Sequence, residues 1–226
     1  NFLVIPTLFT QELGLPTLDH WKIYLPVFLV AFLGSIPLII VAEKRHKIKP
    51  MLLAAIALLV IAEILLALGY AEKNSLLIAF ALFFLGFNFL EAIQPSLVAK
   101  YSAVETKGTA MGIYNSTQFL GIFVGGVLGG WVNQQWQTAG VFWLSALVAG
   151  AWLVTTLKLP APTFYTSRVV RFTGAVSDWE AMYQALQQVP GIYEVAIVTE
   201  GQRAYLKVDQ KQLDEQGLRA ILEAAA

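Results

Sequence analysis

The sequence predicts an all-α polytopic membrane bundle followed by a small α/β domain, and three observations carry this. Apolar residues make up 57% of the 226-residue chain and charged residues only 13%, about half the charged share of an ordinary globular domain. Residues 108–157 contain no Asp, Glu, Lys or Arg, a composition that a water-facing surface does not have. The character then changes at Leu159-Pro160-Ala161-Pro162-Thr163, beyond which charges return and apolar residues recur at strand and helix periods. Cysteine is absent, which excludes disulfides, cysteine metal sites and thiol nucleophiles. Neither half is basic enough to bind nucleic acid.

The apolar run at residues 1–10 is too short to cross a bilayer, which takes about 20 residues. It also lacks the basic start and small-residue cleavage site of a signal peptide, and reads as the outer end of a span that begins upstream. Residues 23–42, 51–70 and 76–99 are each long enough to span. The uncharged stretch is too long for one helix, and the polar patch Asn133-Gln134-Gln135-Trp136-Gln137-Thr138 is its natural turn. Five complete spans result. They must be helices, because lipid offers the backbone no hydrogen bonds and the runs lack the alternation of barrel strands.

Orientation follows from Lys and Arg, which are retained on the cytoplasmic side. Lys44, Arg45, Lys47 and Lys49 fill one loop, Lys100 and Lys107 another. Both are expected inside, and parity then leaves the tail beyond Lys158 in the cytoplasm. Trp21, Tyr24, Tyr70, Trp131 and Trp136 fall near the opposite boundary, where amphipathic rings favour the interface. The division expected is a membrane domain at 1–159, a linker at 160–166 and a cytoplasmic domain at 167–226.

The tail reads as βαββα, with strands at 168–172, 192–199 and 204–208, a helix at 177–189 and a second from about Leu213. Trp179, Met182, Leu186 and Val189 make the apolar stripe of the first helix. Ser177 and Glu180 have the spacing of a capping box.

Two carboxylates, Glu63 and Glu91, lie inside spans, where an ionisable group is expensive unless it faces a partner or a cavity. Glu91 shares a helical face with Asn88, Phe84 and Pro95, so a carboxylate, an amide and an expected helix irregularity coincide. Such places hold substrate or coupling-ion sites in secondary transporters. The competing reading is a structural carboxylate paired elsewhere in the protein. Glu63 has no polar neighbour at helical spacing and is the weaker candidate. Tyr114, Asn115 and Gln118 either line a cavity or bond between helices. Gly121, Gly125, Gly126, Gly129 and Gly130 form overlapping GxxxG patterns that favour close helix packing. The loop Glu43-Lys44-Arg45-His46-Lys47 is a topology signal or a charge latch at an inner gate. His20 and His46 are too isolated for a metal site. No catalytic constellation is present, so neither an enzyme nor a cofactor or metal is expected.

Several strings resemble the major facilitator superfamily: Ala42-Glu43, Ile61-Ala62-Glu63-Ile64, Phe87-Asn88-Phe89-Leu90-Glu91-Ala92, Pro95-Ser96-Leu97, Lys107-Gly108-Thr109-Ala110-Met111-Gly112 and Gln118-Phe119-Leu120-Gly121. The resemblance implies the C-terminal six-helix half of that fold, with its first helix truncated: the end of helix seven through helix twelve. It further implies a multi-pass protein of the cell inner membrane, a drug:proton antiporter exporting an unknown small molecule by alternating access. Its partners would be the bilayer, substrate and protons, and the N-terminal half of the same transporter. The inner loop departs from the family's signature, with Ile39 where that has glycine and Glu43 where it has aspartate.

The tail, through Val189-Pro190-Gly191-Ile192 and its element order, resembles the ferredoxin-like heavy-metal-associated domain. That family's two cysteines are replaced here by residues of the stretch Gly174-Ala175-Val176-Ser177-Asp178-Trp179-Glu180, so no metal is expected. The sheet would lack its fourth strand, leaving the first as an edge for self-association or docking, or blunted by Arg168 and Arg171. The alternative to a transporter is a membrane-anchored sensor with a ligand-binding or docking cytoplasmic domain.

Overall fold

The computed structural model describes residues 4–103, 106–160, 165–172, 178–209 and 212–224. It contains α1 (Ile5–Gln11), α2 (Trp21–Lys44), α3 (Ile48–Gly69), α4 (Lys73–Tyr101), α5 (Lys107–Lys158), β1 (Thr166–Arg171), α6 (Trp179–Gln187), β2 (Ile192–Val198), β3 (Arg203–Val208) and α7 (Glu215–Ala224). The chain divides into two compact units. One comprises residues 1–97 and 112–162, the other residues 98–111 and 163–226.

In the first unit, α2 through α5 are each long and apolar enough to cross a membrane. α5 is broken at Trp136 and Gln137, where φ reaches 57° at Gln137. The break is sharp: a Cβ on Gly140 would come 3.2 Å from the Val132 side chain, although eight residues of straight helix span about 12 Å. The expected turn in the uncharged stretch is thus where the polar patch lies, and the arms 107–135 and 138–158 are separate helices.

α4 is the element on which the others pack. Phe80, Phe83, Phe84, Phe89 and Leu90 are buried along it. Gly86 admits the backbone of α3, since a Cβ there would meet the Ala55 carbonyl oxygen at 3.1 Å and Leu59 at 3.2 Å. Gly34 of α2 does the same for Leu85 at 3.2 Å. Phe9 of α1 sits edge-on to Phe80 at 5.5 Å and beside Tyr24 at 5.2 Å, so α1 is held by aromatic contacts. His20, 6% exposed, packs edge-on to Phe9, and its Nε2 lies 3.3 Å from Thr10 Oγ1 and from Leu15 O. Pro95 was expected to mark an irregularity, but α4 runs through it to Tyr101. Its effect is local: proline has no N–H to give the carbonyl four residues back, which is that of Glu91.

The turn after α2 is a Schellman closure. Lys47 N donates to Ala42 O at 2.9 Å and His46 N to Glu43 O at 3.2 Å. His46 takes the left-handed conformation, φ 53°, usually filled by glycine. Lys49, expected as part of a topology signal, has a second use: its Nζ donates to the carbonyls of Leu157 and Leu159. These are groups at the end of α5 that the helix leaves without donors.

The second unit contains an antiparallel sheet of order β1-β3-β2. β3 alternates strictly, with Ala204, Leu206 and Val208 buried against Leu186 of α6 and Leu218 of α7. Arg203, Tyr205 and Lys207 therefore point to the opposite face. α6 starts at Trp179 with Asp178 as its cap, Oδ1 accepting from the amides of Glu180 and Ala181 at 3.0 Å each. The capping box expected from Ser177 and Glu180 is corrected accordingly: Ser177 lies outside the described residues, and the bonds belong to Asp178. Asp214 caps α7 in the same way through Gln216 N and Gly217 N, both at 3.1 Å. Asp178→Ala is expected to lower the stability of this domain by about 1 kcal/mol. Faster amide exchange at Glu180 and Ala181 would report it.

Candidate functional site

The polar residues of the first unit meet along the seam between α4 and the first arm of α5. Both helices are apolar, so hydrogen bonds rather than burial distinguish this line from its surroundings. Glu91 of α4 accepts from Gln118 Nε2 of α5, at 3.1 Å to Oε1 and 3.3 Å to Oε2. Three residues further along α4, Gln94 Oε1 accepts from Tyr114 Oη at 3.1 Å. The spacings match, since 91 and 94 lie on one face of α4 while 118 and 114 lie on one face of an antiparallel α5. Two interhelical pairs result, one turn apart.

Asn88 belongs to the same face, three residues before Glu91. Its Nδ2 is buried and has no hydrogen-bond partner among the described residues, a condition that costs about 1–3 kcal/mol unless a ligand or water supplies an acceptor. Asn115 is exposed beside the pairs. Gln94 is the member that sequence reasoning missed. The signal was present in Gln94 lying three residues after Glu91, but glutamine in a run of family-like strings carries no charge to draw notice.

The two carboxylates within the long apolar helices differ in burial. Glu63, the weaker candidate, is buried at 3% exposure within α3. Glu91, expected buried, is exposed, because the first arm of α5 is largely uncovered in this chain and touches α4 through long polar side chains. The glycine ladder is open too: a Cβ on Gly121, Gly125, Gly126, Gly129 or Gly130 would meet nothing within 4 Å. The expected packing through these glycines is therefore not made within the described residues.

The end of α2, where the charged loop begins, supplies a tie to α4. Glu43 Oε1 accepts from Ser96 Oγ at 2.9 Å, joining the end of α2 to the end of α4. Lys44, Arg45 and Lys47 are exposed. The expected charge loop thus engages α4 through its carboxylate.

A bundle of apolar helices with uncharged polar pairs and two carboxylates along its spans is the architecture of a polytopic transport protein. Residues 1–199 match the Major Facilitator Superfamily, and the chain belongs to it. It is 38% identical, over 200 residues covering 88% of this chain, to the inner membrane transport protein YajR of Escherichia coli (strain K12). An uncharacterized transporter of Buchnera aphidicola subsp. Baizongia pistaciae is 29% identical over 70% of the chain. The multidrug resistance protein MdtH of Aeromonas salmonicida (strain A449) is 29% identical over 72%. The chain spans 44%, 40% and 41% of these three proteins respectively. These relatives are transporters by name, not enzymes.

Proposed function

We propose that the chain is the C-terminal half of a proton-coupled exporter that works by alternating access, with Glu91 and Gln118 as the coupling pair. The observation that carries this reading is the amide of Gln118 donating to both oxygens of the Glu91 carboxylate. An ionised carboxylate only accepts hydrogen bonds, whereas a protonated one also donates. Taking up a proton therefore makes one of the two contacts donor against donor, and Gln118 must turn its amide or let go. A proton then changes how α4 is tied to α5. Because Pro95 leaves the Glu91 carbonyl without a helical donor, this segment of α4 has one fewer bond resisting such a change.

Asn88 supplies a buried donor one turn away, suited to a substrate acceptor. Tyr114 with Gln94 continues the seam, Asn115 borders it, and Glu63 serves as a second, milder carboxylate. The Glu43–Ser96 bond is read as the inner-gate tie, with Lys44, Arg45 and Lys47 fixing the loop on the cytoplasmic side of the inner membrane. The glycine ladder is assigned to packing against, or sliding past, helices of the other half. A multidrug resistance protein among the relatives supports export of small molecules as the class of activity.

The tail is read as ferredoxin-like and cytoplasmic. Strand order β1-β3-β2 supports this, with β1 at one edge, where a fourth strand would pair. Arg168 does not simply blunt that edge: it forms an ion pair with Glu215 of α7 at 2.6 Å. The sensor alternative draws on the tail alone, whereas the transport reading draws on the membrane unit and on the relatives.

The test uses proteoliposomes loaded with a fluorescent lipophilic cation. An imposed pH gradient is expected to drive its movement, and collapsing the gradient with a protonophore to stop it. Movement indifferent to the gradient across a panel of substrates would remove the proton from the mechanism.

A further inference from the structure

The end of α4 and the start of α5, within residues 98–111, fall in the same compact unit as the tail domain, and one lysine reaches from the sheet to the end of α4. Alternation along β3 places Lys207 on the sheet face away from α6 and α7, a face from which a lysine ordinarily extends into water. Instead its side chain is only 13% exposed. In register across the sheet it meets Glu194 of β2, whose Oε2 lies 2.7 Å from Lys207 Nζ. The same Nζ donates to the carbonyl of Ser102, the first residue beyond α4.

That carbonyl is a particular kind of acceptor. The last carbonyls of a helix have no donor within it and carry the negative end of its dipole. Ser102 completes the helix with its own groups, N and Oγ both donating to Val98 O, at 3.0 and 2.6 Å. Its carbonyl is left pointing onward, and the ammonium of Lys207 takes it. A mostly buried ammonium is tolerated only when paired and hydrogen-bonded. Glu194 and the Ser102 carbonyl together meet that condition.

We infer that Lys207, held by Glu194, is a positioning residue through which the tail domain supplies a C-cap to α4. The domain is thereby a clamp on the loop that joins the two helices of the Glu91–Gln118 seam. If the loop leaves, Lys207 keeps Glu194 and gains water, so the cap is reversible rather than a permanent weld. The segment it holds lies within two turns of Ser96 and three of Glu91. A change in how α4 is tied at the seam thus meets a fixed point at its end. The inference rests on the transport reading for its functional arm only.

These 226 residues contain no cysteine, so a cysteine pair placed in them meets no competing thiol within this part of the protein. Ser102→Cys with Lys207→Cys, in the protein reconstituted in liposomes, is treated with a short bis-methanethiosulfonate crosslinker, which forms a disulfide with each thiol as methanesulfinate leaves and is released by a reductant. Rapid joining of the pair, and not of Ser102→Cys with Glu200→Cys, is expected. Transport should fall about tenfold or more while joined and recover on reduction, as for a coupled two-state element held in one state. In the single variant Lys207→Met, amide exchange at Ser102 should quicken about tenfold, while that of Leu206 in β3 stays unchanged. Glu194→Gln should give a smaller increase. Failure of the pair to join, or exchange at Ser102 unchanged in Lys207→Met, overturns the contact. Joining without any effect on transport overturns the clamp. Absence of transport in the unmodified protein under every gradient strikes the transport reading instead and leaves the exchange result standing.

Discussion

Glu91→Gln is expected to leave the protein inserted and folded but to reduce gradient-driven transport by roughly ten- to a hundredfold. Glutamine keeps the size of glutamate and can still accept from Gln118 through its carbonyl oxygen. It cannot change its protonation state, so the two arrangements of the seam collapse into one. Downhill exchange that involves no net proton movement should survive better than uphill export, because the substituted residue still closes the gap to Gln118. The measurement is paired: substrate flux with and without a pH gradient, and proton flux on adding substrate. Glu63→Gln should do less. Glu63 is the more deeply buried carboxylate, but it lies on α3, whereas the seam is formed by α4 and α5. A Glu91→Gln protein with the full pH response of the parent would remove Glu91 from coupling, and a Glu63→Gln protein more impaired than it would show that burial, not the seam, marks the proton site.

Gly191→Ala is expected to destabilise the tail domain by about 3 kcal/mol or more and to leave the membrane helices unaffected. Gly191 has φ 87°, a conformation that side chains resist. The space is closed as well. A Cβ there would lie 2.4 Å from Leu213 N, 2.5 Å from Leu213 Cα and 2.6 Å from Gln212 C. These are backbone atoms and cannot swing aside. They are also held in place, since Asp209 N donates to Gly191 O and Asp214 N to Pro190 O, each at 2.9 Å. Hydrogen exchange of β2 and β3 in the detergent-solubilised protein reads the outcome. Full protection of both strands in the variant would show that the turn gives way cheaply. Because the same strands carry Glu194 and Lys207, the variant should also expose the carbonyl of Ser102 and mimic Lys207→Met at the end of α4.

The tail's elements were legible because period and punctuation agree: Val195, Leu206 and Leu186 fall on faces that their strand or helix must bury. Its cap was misassigned by one residue, from Ser177 to Asp178. Both types accept from helical amides, and only the backbone angles decide which residue stands just outside the first turn. Lys49 and Lys207 were invisible as caps. Each acts on a carbonyl more than a hundred residues away in sequence, and a lysine's spacing carries no record of which helix end it will reach.

Sequence by itself determined that this chain spans a membrane several times, where the uncharged stretch turns, that a small α/β unit follows, and which family it belongs to. The first three follow from composition and period, which act locally and add along the chain, whereas the family is carried by particular strings such as Phe87-Asn88-Phe89-Leu90-Glu91-Ala92. The pairing of Glu91 with Gln118 and of Tyr114 with Gln94, the burial of Glu63 rather than Glu91, and the hold of Lys207 on Ser102 were decided by tertiary structure alone. Each depends on which faces of separate helices and strands come together, and close approach at points such as Gly86 against Ala55 settles that by shape rather than by residue type.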